Sequence, residues 1–426
     1  MTATLISRDS DGITIKLRVP HKRSLLETED AIQSALNEAG CLATQEALDH
    51  FDADGAPIQV GSIRYTSKGR LPKTYQTPYG DVVVHRHVYQ TSSGGKTYVP
   101  MEERTRIVIT STPRFAKIIS HKYGEMGAPR VVEDFMENHG RKVHRSFVKN
   151  VADYVGAIAQ AKEETWTYST PELDASISAV AVGLDGTMML QDKEGWREAM
   201  VGTVALFDKD GERHHTIYIG AAPEYGKEKF LARLDREVER VKGMYPKSTF
   251  VGVADGAEEN WKYLEKHTEK QVLDFYHATE YLTKASEGKF RKVSEREEWM
   301  EDRCHDLKHK HGAASRIMNE MDGWMMEGTL SEGGTKKVAR SIDYFLNQKH
   351  RMKYAQFVEK NLPIGSGVTE AACKVIIKQR LCASGMTKWK EEGSAAVISL
   401  RCLTHSTGRW QQFWDKIDQY GYSLVA

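Results

Sequence analysis

The stretch ISAVAVGLDG, Ile177–Gly186, decides the fold. It is an apolar run of strand length that stops at Leu-Asp-Gly, and a run apolar on both faces reads as a strand buried inside a sheet. STFVGVADG, Ser248–Gly256, repeats the design: an apolar run that ends in Ala-Asp-Gly. Asp255 follows Asp185 by 70 residues, room enough for several elements between the two strands.

Between and beyond these runs the pattern is regular. REAMVGTVALFDKDGERHHTIYIGAA reads as two strands about an Asp210-Gly211 turn, and GKEKFLARLDREVERVKGM as an amphipathic helix. AEENWKYLEKH reads as a second helix and KQVLDFYHA as a fifth strand. Three consecutive strands, helix, strand, helix, strand is the order of an α/β, ribonuclease H-like catalytic core with a mixed five-stranded sheet. Its first part is expected over 173–285. From Ser286 to Glu359 the chain is dense in Lys, Glu and Arg and helical throughout, with SEGGT as its one obvious break. This predicts an all-helical insertion at 286–359. PIGSGVTEAACKVIIKQR, Pro363–Arg380, then opens the second part of the core at 360–426, which SAAVISLRCLTH and the Trp-rich GRWQQFWDKI close.

Asp185 and Asp255 end the first and fourth strands, which are neighbours in such a sheet, so their carboxylates are expected to converge at one edge. Two close carboxylates are costly unless a divalent cation neutralises them, and a third from a nearby helix completes an oxygen cage. Glu370 is placed for that role, with Ser366 as the expected N-cap of its helix. The expected metal ligands and catalytic residues are therefore Asp185, Asp255 and Glu370, holding two Mg2+ ions for which Mn2+ can substitute. Such a pair activates a water or a 3′-hydroxyl for in-line attack on a phosphodiester without a nucleophilic side chain, and the sequence offers no Ser-His-Asp or Cys-His arrangement. Each Asp-Gly taken singly is equally a turn signal or a cap. Helical spacing after Glu370 brings Lys374 and Lys378 to its face, where they would meet phosphates; Arg380, Lys388 and Trp389 join them as candidate DNA contacts.

The N-terminal third carries no such chemistry. Residues 1–105 combine a helical stretch, SLLETEDAIQSALNEAG, with YGDVVVHRHVYQTSSGGKTYVP, a hairpin turning near Ser92–Gly95; recognition or scaffolding is expected of this α+β region. Residues 106–172 are helical. Thr112-Pro113 opens RFAKIISHKYGEM, APRVVEDFMEN follows, and HGRK turns into VHRSFVKNVADYVGAIAQA. Two helices about a tight turn, with Arg141, Lys142, Arg145 and Lys149 at the head of the second, fit a helix-turn-helix with those cations on DNA, and equally an ordinary helical hairpin.

Composition narrows the classes. The chain has 426 residues, 60 Lys+Arg against 59 Asp+Glu, so any affinity for nucleic acid must come from local patches. Five scattered cysteines without a CxxC argue against a disulfide framework and a zinc ribbon, and point to a reducing compartment. The first residues lack a signal-peptide core and no apolar run is long enough for a bilayer, so a cytoplasmic, nucleoid-associated protein that does not enter a membrane is expected. Cys304, His305, His309 and His311 cluster in CHDLKHKH, in a charged setting where solvated histidines are the plainer reading; no zinc is assigned.

VGLDG, GVADGAEENW, DFYHATEYL and PIGSGVTEAACKVIIKQRLCASGMTKWKEEGSAAVISLR resemble the catalytic blocks of bacterial insertion-sequence DDE transposases of the ISKra type, over roughly residues 175 to 405. The resemblance implies Asp185, Asp255 and Glu370 as the DDE triad, a helical domain before the glutamate, and cleavage and strand transfer at element ends. It also makes Asp274 and His277 similar to the (C/D)xxH signature of related groups, with His277 a candidate DNA contact. The expected partners are double-stranded DNA, both terminal inverted repeats and target, and a second copy of the chain, since two ends must be synapsed. Two other readings stay open: a structure-selective nuclease of the same fold, and a domesticated DNA-binding protein without catalysis. Short inverted repeats flanking the reading frame would discriminate in favour of a mobile element.

Overall fold

The computed structural model describes residues 2–9, 11–386, 388–422 and 424, and the backbone alone of Glu224. The chain forms two compact units: Met1–Tyr168 with Glu392–Thr404 and Arg409–Ala426, and Ser169–Glu391 with His405–Gly408. The stretch expected as one piece over 360–426 is therefore divided between the units, and the expected regions 1–105 and 106–172 lie in one apart from residues 169–172.

The first unit opens with a hairpin, β1 (Ala3–Arg8) and β2 (Ile13–Leu17), then a helix, α1 (Leu25–His50), capped by the Ser24 hydroxyl accepting from Glu27 N at 3.2 Å. A four-stranded antiparallel sheet follows: β3 (Ile58–Val60), β4 (Ile63–Gln76), β5 (Asp81–Thr91) and β6 (Gly94–Tyr98). The β5–β6 hairpin turns where the sequence places it. The strand β4 is hidden in sequence by Pro72, which it tolerates because β3 pairs only with Ile63–Tyr65 and leaves that edge open at Pro72. Then come α2 (Pro100–Arg104), α3 (Pro113–Glu125), α4 (Ala128–His139) and α5 (Arg145–Lys162), with the left-handed Gly140 (φ +57°) ending α4. Phe115 on α3 meets Phe135 on α4 edge-on at 5.3 Å and stacks on Phe147 of α5 at 6.2 Å, and Val148, Val151 and Val155 of α5 are fully buried.

The second unit holds β7 (Ile177–Gln191), β8 (Gly195–Asp208), β9 (Arg213–Ala221), α6 (Lys227–Met244), β10 (Thr249–Ala254), α7 (Glu258–His267) and β11 (Lys270–Leu273). The sheet order is β11-β10-β7-β8-β9, antiparallel through β7, β8 and β9 and parallel from β7 to β10 to β11. This mixed α/β arrangement is compatible with the predicted ribonuclease H-like core. The apolar face of α6, Phe230, Leu234, Val238 and Val241, is fully buried in the sheet's core. The expected strand KQVLDFYHA is split: β11 ends at Leu273, and Asp274 caps a helix, α8 (Phe275–Lys289).

Helices continue with α9 (Val293–His309), α10 (Ala313–Met326), α11 (Glu332–Gln348) and α12 (Tyr354–Val358). Phe290, Trp299 and Trp324 form their aromatic centre, which is continuous with the core of the sheet. SEGGT is the start of α11, with the Ser331 hydroxyl accepting from Gly334 N at 3.1 Å. Gly334 stays free of a side chain because a Cβ would lie 2.4 Å from Gly288 O on α8. The unit ends with α13 (Gly367–Ala372), a π-helical turn at Cys373–Lys378 and the short α14 (Gln379–Leu381).

The closing helices, α15 (Glu391–His405) and α16 (Arg409–Tyr420), return almost wholly to the first unit. There a Cβ on Gly156 of α5 would lie 2.4 Å from that of Ala396, and the buried Arg401 donates to Gly124 O at 2.6 Å and Glu125 Oε2 at 2.9 Å. Among the described residues no helix is long and apolar enough to cross a membrane.

Candidate active site

The pairing of β7 with β10 runs from Ala179 opposite Thr249 to Gly183 opposite Val253. Two residues beyond that last pair stand Asp185, which is midway along β7 and not at the strand end expected from its Asp-Gly, and Asp255, one residue past the end of β10. Beyond this point β7 parts from β10 and continues as a ribbon with β8. A crevice where neighbouring parallel strands end is the usual ligand position of an open α/β sheet.

Asp185 is half-buried. Its Oδ1 accepts from Gly186 N at 2.7 Å, and its Oδ2 from the Cys373 thiol at 3.5 Å. Burial first, then the charges of Asp255 and Glu370, push its carboxyl above the ordinary range. Cys373 lies in the π turn, and burial, with Asp185 beside it, holds its thiol protonated and so able to donate. Asp255 is exposed, and its Oδ1 accepts from Ala257 N at 3.2 Å. Gly256 follows it with φ +116°, a conformation side chains avoid, and the Tyr344 hydroxyl on α11 donates to Asp255 O at 3.1 Å.

Glu370 is brought to the same edge by packing. Thr369 is buried on the sheet, its hydroxyl 2.8 Å from that of Thr203 on β8, and a Cβ on Gly183 would lie 2.1 Å from Thr369 Oγ1. The glycine of VGLDG thus admits the helix that carries the glutamate. Ser366 occupies the predicted N-cap position, but its hydroxyl bonds forward to Glu370 Oε1 at 2.6 Å instead of capping a backbone N–H, which fixes the exposed carboxylate.

Asp274 ties this loop down. Fully buried, it accepts from His277 N at 2.8 Å through Oδ1 and from Ser366 N through Oδ2, while Phe275 N donates to Ile364 O at 3.0 Å. Its role as a helix cap was available in the sequence as an Asp before a helical run, but VLDFYHA reads more strongly as strand. Asp274, His277 and Glu370 each offer a ligand atom within 4.8 Å of the others. Both Asp274 oxygens already serve backbone donors, so His277 and Glu370 hold the open capacity of this group. His277, read in sequence as a strand residue or a DNA contact, is a half-buried residue in the first turn of α8.

The candidate DNA contacts separate into two sets. Lys142, Arg145, Lys374, Lys378 and Lys388 are exposed. Lys149 is exposed but paired with Asp153 one helical turn on. Arg141 and Arg380 are corrected to interior residues. Arg141, 6 % exposed, donates to Thr77 O at 3.1 Å, Gln76 Oε1 at 2.6 Å and Asp81 Oδ1 at 2.6 Å, and so anchors the α4–α5 turn to β4 and β5. Arg380, 3 % exposed, lies over the ring of Trp389 at 5.1 Å. Trp389 is also interior, donating to Leu381 O at 2.9 Å, while its carbonyl accepts from Asp192 N at 2.8 Å. All five cysteines are free thiols. The exposed rings of His305 and His309 lie 5.0 Å apart on α9, and His311 pairs instead with Glu359 at 2.7 Å.

Asp185, Asp255 and Glu370 offer carboxylate oxygens at this edge, the last two exposed and the first under their charges, while among the described residues the group with ligand atoms within 4.8 Å of one another is Asp274, His277 and Glu370. Hard oxygen donors in that state fit Mg2+ or Mn2+. No protein-family model matches the chain, and no curated protein matches it.

Proposed function

We propose that this chain is a DDE transposase of a bacterial insertion sequence, with a ribonuclease H-like catalytic core interrupted by the helices α8 to α12. The observation that supports the reading is the register of β7 and β10, whose continuation puts Asp185 and Asp255 opposite each other, together with the seating of Thr369 on Gly183 and Thr203 and the effect of the Glu370 charge on Asp185.

Asp185, Asp255 and Glu370 would hold the divalent ions, two per site. When bound, such ions activate the attacking oxygen and stabilise the leaving one in phosphodiester cleavage and strand transfer. The chain's own part is preorganisation: Gly186 N and the Cys373 thiol orient Asp185, Ser366 orients Glu370, and Asp274 holds the loop that carries Ser366. Lys374, Lys378 and Lys388 supply cations for phosphates near the cut, and Lys142 and Arg145 a second basic patch on the other unit. Double-stranded DNA is the substrate, as terminal inverted repeats and target, and joining two ends calls for at least a homodimer.

The test is cleavage and joining of labelled DNA carrying the element's end, with Mg2+ or Mn2+, comparing the protein with Glu370→Gln. Loss of both steps with DNA binding kept is expected. Unchanged cleavage by the variant would overturn the triad. Cleavage without joining in the unaltered protein would leave a nuclease.

A further inference from the structure

The turn between α9 and α10 and the turn ahead of α12 face each other across a pocket of about 220 Å3. One wall carries Lys310 and His311, the other Lys349 and Lys353, and Ser315 and Gln356 add polar groups. Lys310 is held by Asp306 at 2.6 Å and His311 by Glu359 at 2.7 Å. Lys349 and Lys353 are exposed, and among the described residues no carboxylate pairs with either.

The surroundings repeat that sign. The first turn of α10, fourteen residues long, opens onto the pocket after the left-handed Gly312, with no acidic residue and no side-chain cap on its N–H groups. A space of about 220 Å3 admits a phosphodiester group, since one water needs only about 10–15 Å3 of such a cavity. Tyr354, which lines the pocket, packs its ring edge-on against Phe275 at 5.2 Å, next to Asp274 in sequence.

We propose that this pocket and its rim hold backbone phosphates of the DNA, as a sequence-independent contact surface on the helical segment, separate from the lysines that follow Glu370. The proposal rests on the transposase reading for the identity of the polyanion. Neutralising one phosphate changes the slope of log affinity against log salt by about 0.9.

The experiment is a salt titration of binding to a fluorescein-labelled duplex of arbitrary sequence, for the full chain, for Lys349→Gln/Lys353→Gln, and for Lys262→Gln/Lys336→Gln. The last pair removes exposed cations that Glu258 and Glu332 already neutralise. The pocket variant should lose about 1.8 from the slope and on the order of tenfold or more in affinity near 0.1 M salt, while the control keeps both. If the double variant does not fold, Lys353→Gln alone should lose about 0.9. Binding by the unaltered protein with equal slopes in all variants overturns the pocket and leaves the transposase reading standing; no binding by the unaltered protein overturns both. Inorganic phosphate serves as the other arm. Stabilisation of the unaltered protein against heat, absent from the pocket variant, with DNA slopes unchanged, makes this a free-phosphate site and also overturns the proposal.

Discussion

Asp185, where β7 leaves β10, and Asp274, just past the end of β11, both approach Glu370, yet they do opposite work. Asp274 has each oxygen committed to a backbone N–H, from His277 and from Ser366, and it is fully buried. Asp185 has one backbone donor and one weak thiol donor, and it feels the charges of Asp255 and Glu370. A carboxylate saturated by donors is a structural clamp. One left short of donors beside like charges is costly to the fold, and it is retained where a ligand makes up the deficit.

The contrast breaks first at Asp185. Asp185→Asn should lower strand cleavage by a factor of 10^3 or more, about 4 kcal/mol in the barrier, while leaving the protein as stable as before or more so. The sign follows from its raised carboxyl: the folded state disfavours the ionised form, so stability present at acid pH is lost as pH rises past the ordinary Asp value of about 3.9. The variant's advantage in melting midpoint should therefore grow between acid and neutral pH, and millimolar Mg2+ should stabilise only the unaltered protein. A variant less stable than the parent at neutral pH would make Asp185 a second clamp.

Asp274→Asn should behave in the opposite way. The amide keeps one acceptor and turns a donor toward Ser366 N, so a cap and a charge-assisted bond are lost in the interior, about 2–4 kcal/mol by chemical denaturation. The loss should be insensitive to Mg2+. A cost under about 0.5 kcal/mol, the ordinary range for a surface change, would show that the clamp is not under tension from the loop it holds.

Gly183 tests how the two carboxylate positions depend on packing. Gly183→Ala places a methyl against Thr369 Oγ1, so either Thr369 shifts and takes Glu370 with it, or β7 moves. Overpacking of this kind costs about 1–3 kcal/mol, and cleavage should fall along with stability. Adding Thr369→Ala makes room for the methyl and should restore most of the lost stability. Failure of the double variant to recover would mean that Gly183 is required by the strand itself.

These cases also mark how far the sequence is legible. The apolar run ending at Asp255 carries its own boundary and the strand order follows from alternation with amphipathic helices, but the run ending at Asp185 does not mark a strand end, because β7 continues to Gln191 in a ribbon with β8. Asp274 cannot be read directly, because FYHA is apolar enough to extend a strand and the cap becomes visible only once the helix is known. The β4 strand is concealed by Gly69 and Pro72, which an edge accommodates, and α15 and α16 give no sign in sequence that they pack with the first unit. Basic residues are the least legible class: a run of Lys and Arg states charge, and burial depends, for Arg141, on partners 60 to 65 positions away or, for Arg380, on a ring nine residues on.

Arg380 and Lys378 make the smallest and sharpest version of the comparison, two cations in one motif with different surroundings. Arg380 is interior, with its guanidinium over Trp389, and Trp389 is fixed in turn by Leu381 O and by the bridge to Gln191. An ammonium lacks the planar face that stacks there, so Arg380→Lys should cost about 1–2 kcal/mol of stability. Lys378 is exposed, and Lys378→Gln should stay within about 0.5 kcal/mol. In DNA binding the order inverts: Lys378→Gln should reduce the salt slope by about 0.9, whereas Arg380→Lys, which keeps the charge, should leave the slope unchanged in the folded fraction. If Arg380→Lys changes the slope while the melting midpoint holds, Arg380 reaches DNA after all, and the motif around Trp389 opens when DNA binds.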